Sequence, residues 1–164
     1  MKTIRLFFVF LSLLECSNLF GALPQEPLLE LKSGKIKRTM TKVEDIPAPL
    51  RTALAKTFQQ NSLELGNPHD RIGGSVTYTG DPSRRAASRR LIFAFETKQY
   101  AFVYYESGDP ENSAACLVFS VSNPQSPRFV WGGADMKKPF AKSPAQLRAK
   151  ILHGKLPDNF PFIW

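Results

Sequence analysis

Between Ser75 and Ala134 the chain takes on a strand-like period. The runs "SVTYT", "RLIFAFET", "YAFVYYES", "AACLVFSVS" and "RFVWGG" are short and rich in aromatic and β-branched residues. The turn clusters "GDPSRRAAS", "SGDPENS" and "SNPQSP" separate them, and "TKQ" leaves room only for a tight hairpin. Short β-prone runs punctuated in this way predict an antiparallel meander of five strands.

The residues within the runs limit how such a sheet can be used. In the second run Leu91, Phe93 and Phe95 alternate with Ile92 and Ala94. In the third, Tyr100, Phe102 and Tyr104 alternate with Ala101, Val103 and Tyr105. In the fourth, Ala115, Leu117, Phe119 and Val121 alternate with Cys116, Val118 and Ser120. A sheet with one wet face alternates apolar with polar. These strands are apolar on both sides, so both faces need cover.

Two helices are predicted to supply part of it. In "DIPAPLRTALAKTFQQN", Pro47 and Pro49 suit a first turn, and Leu50, Leu54 and Phe58 form a stripe at helical spacing over about 48–60. In "SPAQLRAKILHG", Ser143 reads as an N-cap, Pro144 as the first helical position and Gln146 as the partner of a capping box. Leu147 and Ile151 share a face and Gly154 stops the helix, which is placed over 144–153. Residues 23–44 mix prolines with basic residues. Within them "LLELKSGKIKR" reads either as a hairpin turning at Ser33–Gly34 or as a basic arm. Two short helices cover one face of five strands. The arm, the aromatic tail "LPDNFPFIW", a second subunit or a ligand is left to cover the other.

The first 22 residues read as a secretory signal peptide. Lys2 and Arg5 precede the apolar run "LFFVFLSLL", and small residues follow at Gly21 and Ala22. The run is too short to span a bilayer as a helix, and no later stretch is long enough, so no transmembrane segment is expected after cleavage. The expected location is periplasmic or secreted. Cleavage takes Cys16 and leaves Cys116 alone, so no internal disulfide is expected. Losing Lys2, Arg5 and Glu15 moves the net charge from +8 to +7. A basic exported protein suits an anionic partner such as lipid headgroups or acidic glycans.

Motifs for chemistry are sparse. Cys116 with His69 or His153, and Asp70 as orienter, is the one nucleophile–base combination available, and no hydrolase signature flanks it. Two separated histidines and one cysteine have no metal-ligand spacing. "RIGGSVT" lacks the lysine of a phosphate-binding loop and reads as a bulge or strand start. Glu106, Asp109 and Glu111 share a turn without the alternating oxygen ligands of a calcium loop. "NFPFIW" ends on an aromatic, as outer-membrane barrels do, but the strands are too few and too short for a barrel. "SRRAASRR" places Arg84, Arg85, Arg89 and Arg90 at the mouth of a buried strand. There they keep a strand end soluble or contact an anion. Tyr100, Tyr104, Tyr105 and Trp131 offer flat faces with polar tips suited to stacking. Export argues against nucleic acid as the partner. "DIPAPLRTAL", a helix opening after a leader and before strands, resembles the corresponding stretch of small exported PepSY-like modules. No residue role follows from that resemblance.

The fold class expected is α+β, with an antiparallel sheet of about five strands, an N-terminal helix and a short C-terminal helix. Residues 1–22 form the leader, 23–44 the arm or hairpin, and 45–164 one domain. The function expected is an exported, non-enzymatic binding module for a partner protein or an anionic envelope component, acting through a sheet face and basic loops. Arg84, Arg85, Arg89, Arg90, Tyr100, Tyr104, Tyr105 and Trp131 are its candidate contacts. No cofactor or metal is implied. The alternatives are a thiol-dependent enzyme using Cys116, and a structural protein that forms a homodimer through the sheet.

Overall fold

The aromatic-rich runs from Arg89 onward form four consecutive antiparallel strands: β2 (Arg89–Glu96), β3 (Tyr100–Ser107), β4 (Ala114–Ser120) and β5 (Arg128–Asp135). A short strand from the N-terminal segment, β1 (Arg38–Met40), pairs with the end of β2 through Arg38↔Glu96 and Met40↔Ala94. The sheet order is β1-β2-β3-β4-β5. This computed structural model describes residues 22–72, 87–108, 113–136 and 138–156. The leader through Gly21, the "SVTYT" run, Arg84, Arg85 and the tail beyond Leu156 lie outside the described residues.

Among the described residues three α-helices pack on this sheet: α1 (Gln25–Ser33), α2 (Ala48–Thr57) and α3 (Pro144–Leu152). α3 begins where the capping residues place it. The Ser143 hydroxyl accepts from Gln146 N–H at 3.3 Å. The Gln146 side chain reaches past the N-cap to accept from Lys142 N–H at 2.8 Å. α2 starts behind Pro47 with Pro49 in its first turn, and it stops at Thr57, short of the expected 60. Gln59 has φ 53°, which no continuing helix allows.

α1 corrects the reading of residues 23–44. Gly34 is left-handed at φ 70° and donates its N–H to Leu31 O at 3.1 Å, so it closes a helix where a hairpin turn or a basic arm was expected. The same conformational freedom serves both motifs. Leu31 is buried on the helix face that turns inward, with Leu28 partly buried beside it.

Helices thus cover both faces. On one side α1 and α3 bury Leu31, Leu147 and Ile151 against Phe93, Phe95, Phe102, Tyr104, Cys116, Val118 and Trp131. On the other, Leu50, Leu54 and Phe58 from the α2 segment bury Leu91, Val103, Tyr105, Leu117 and Phe119. Each fully buried leucine on α2 contributes roughly 1.5–3 kcal/mol relative to exposure. The alternation read from β3 and β4 holds. In β2 it breaks at Ile92, where the register shifts between Leu91 and Phe93. That bulge sends Leu91 to the α2 side, away from Phe93 and Phe95.

Candidate functional site

The aromatic residues expected to form a binding surface are core residues. Tyr100, Tyr104, Tyr105 and Trp131 are all buried. The Tyr100 hydroxyl donates to Glu26 at 2.9 Å, and burial together with that carboxylate pushes its pKa up to about 12. The Tyr104 hydroxyl donates to Asp135 at 2.7 Å and accepts from Ala141 N–H at 3.2 Å. Burial raises its pKa further, as it does for Tyr105, where Arg89 offsets part of the effect.

Arg89 and Arg90, which open β2, are engaged within the molecule. The Arg89 guanidinium lies over the Phe58 ring, 4.4 Å from its centroid. Arg90 donates to Glu106 at 2.5 Å and to the Asp70 carbonyl at 3.1 Å. Arg89 fastens the strand mouth to the end of the α2 segment, and Arg90 fastens it to β3 and the loop at Asp70. Cys116 sits mid-strand in β4, sealed between the sheet and the α1/α3 layer, and burial pushes its thiol pKa up. A thiol held protonated and away from solvent is a poor nucleophile. His153 bonds the Ala149 carbonyl in the last turn of α3, and Asp70 accepts from Asn67 N–H at 2.6 Å. Among the described residues no three metal-binding side chains cluster.

A polar network not foreseen from sequence lies at the far end of β5. Buried Asp135 accepts from Tyr104 and from Lys150 Nζ at 2.6 Å, and Lys150 also donates to Pro139 O at 2.9 Å. A cavity of about 660 Å³, lined by Met136, Lys138, Pro139 and Lys155 among others, opens beside it. The bonds of this network run between β3, β5, the 139–141 segment and α3, so it acts as a clasp between them.

The opposite end of the sheet has a different character. There α1 closes at Gly34, the chain runs through Lys35, Ile36 and Lys37 into β1, and the β2–β3 turn lies alongside. Lys37 N–H donates to Glu96 O at 2.7 Å, and Gln99 N–H donates to Glu30 at 3.1 Å. Lys32, Lys35, Lys37 and Lys98 are all exposed at this end. The nearby carboxylates are turned to other work. Glu30 accepts from the Thr97 hydroxyl as well as Gln99, and buried Glu96 takes two bonds from Arg38 at 2.6 and 2.9 Å. Arg148 props the segment from behind: its guanidinium lies against Gly34 and donates to Lys32 O at 2.8 Å. Among the described residues none of the four lysines has a carboxylate within ion-pair distance. Four lysines without close ion pairs, beside Arg38 and Arg148 and against the carboxylates of Glu26, Glu30 and Glu96, leave this sheet end net positive.

Lys32, Lys35 and Lys37 were visible in "LKSGKIKR" and Lys98 in "TKQ", but the sequence carries no signal that Glu30 and Glu96 bond other partners. Comparison with protein families, with curated proteins and with solved structures returns no match to this chain.

Proposed function

We propose that this protein is an exported, non-enzymatic binding module that recognises an anionic component of the cell envelope through its lysine-rich sheet end. The observation that carries the reading is the set Lys32, Lys35, Lys37 and Lys98, exposed and without ion-pair partners among the described residues. Both sheet faces are closed by helices, so recognition moves from the sheet face to its rim. The leader-like first 22 residues, and the net charge of +7 that remains without them, support the same reading.

Retention on a dextran sulfate matrix tests it. The protein is expected to be retained at physiological salt and to elute as added salt shortens the screening length below about 8 Å. Reversal of the four rim lysines (K32E, K35E, K37E, K98E) is expected to abolish retention at physiological salt. The charge-matched variant K42E, R51E, K56E, R71E, altered away from that rim, keeps most of it. Equal elution of the two variants would refute a localised site.

A further inference from the structure

We infer that the anionic partner is a lipid bilayer, on which the lysine-rich end seats with Leu29 and Ile36 entering the headgroup boundary; the inference rests on the anionic-partner reading above. Exposed large apolar side chains are few among the described residues, and two of the four lie here: Leu29 at 55% and Ile36 at 41%. On α1 Leu29 and Lys32 are three residues apart and share the outward face. Lys35 and Lys37 bracket Ile36 in the exposed linker. Aliphatic side chains set among flexible lysines are the composition of an interfacial contact, where the stems reach toward lipid and the ammonium groups meet the headgroups.

Other anionic partners fit less of this surface. A single-stranded nucleic acid needs aromatic faces for its bases, and Tyr100, Tyr104 and Tyr105 are buried. A soluble polyanion leaves Leu29 and Ile36 in water.

The test is flotation of the exported, processed protein with phosphatidylcholine vesicles, with and without phosphatidylglycerol, at physiological salt. Each lysine near an anionic surface strengthens partitioning about five-fold. The protein is expected to float with phosphatidylglycerol-containing vesicles and to remain in solution with phosphatidylcholine alone. The pair K35A, K37A is expected to weaken partitioning about 25-fold, and the pair K42A, K56A less than about two-fold. In the L29W variant the added tryptophan emission is expected to shift to the blue on binding. Unchanged flotation of K35A, K37A overturns the assignment, and an unshifted L29W spectrum on bound protein overturns the seating of α1. A protein retained on dextran sulfate that ignores both vesicle types overturns the bilayer and leaves the anionic reading standing. Loss of both kinds of binding overturns both.

Discussion

Gly133 lies beneath the indole of Trp131 on β5. A Cβ built on Gly133 would stand 2.3 Å from one indole carbon and 2.6 Å from the next, well inside any contact distance. The ring packs down on the strand two residues along, over a site only glycine leaves open. Gly133→Ala is therefore expected to destabilise the fold by about 1–3 kcal/mol, the usual cost of overpacking a closed core. The ordinary preference of a strand for alanine over glycine acts in the opposite direction and is smaller, roughly 0.5–1 kcal/mol. Urea denaturation reads the balance, and a variant as stable as the parent would show that the indole has room to move. The same scale explains why the tyrosines were misjudged from sequence. Each hydroxyl gives tyrosine a surface character on paper, but Tyr100 and Tyr104 satisfy theirs on Glu26 and Asp135 while the rings stay buried. Residue type alone does not distinguish a polar tip that meets solvent from one that meets an interior carboxylate.

Among the elements, α1 departs most from what its sequence suggests. Leu31 is 2% exposed and packs with the cluster that holds Phe95 and Phe102, whereas Leu29 looks outward. Leu31→Ala is expected to cost about 2–5 kcal/mol, and Leu29→Ala within about 0.5 kcal/mol of nothing. Equal urea midpoints for the two variants would contradict the assignment of α1 as a cover for the sheet. α3 was legible because Ser143, Pro144 and Gln146 specify its start within the segment itself. The strands β2 to β5 were legible because alternation and turn clusters are local signals. α1 was not, because a glycine that tolerates positive φ ends a helix as readily as it turns a hairpin, and the choice depends on whether Leu31 finds a core. The bulge at Ile92 was hidden for a related reason: an apolar run on both faces carries no polar residue to mark a slip in register. At the rim, the lysines themselves could be read from sequence, but the withdrawal of Glu30 and Glu96 depends on partners in distant segments.

For the whole molecule, closing both sheet faces with helices commits three of the four tyrosines to the interior and makes the fold sensitive to alkali. An unfolded tyrosine ionises near pH 10. In the folded protein burial raises Tyr100 to about 12, and Tyr104 and Tyr105 rise higher still. Above pH 10 the folded state therefore binds more protons than the unfolded state. The stability these groups supply is complete below about pH 10 and is lost as the pH climbs through 12 and beyond. The phenolate absorbance of these three tyrosines is thus expected to appear together with the loss of far-ultraviolet circular dichroism, in one cooperative step above pH 10. The Y104F variant should soften that step, because it removes one of the protons the folded state retains. Three phenolates absorbing near pH 10 with the dichroism intact would mean that the tyrosines reach water in the folded protein. The aromatic faces would then be open to ligands, and the case for recognition at the rim would lose its premise. A concerted transition instead keeps the interior closed and leaves the charged sheet end as the surface proposed for recognition.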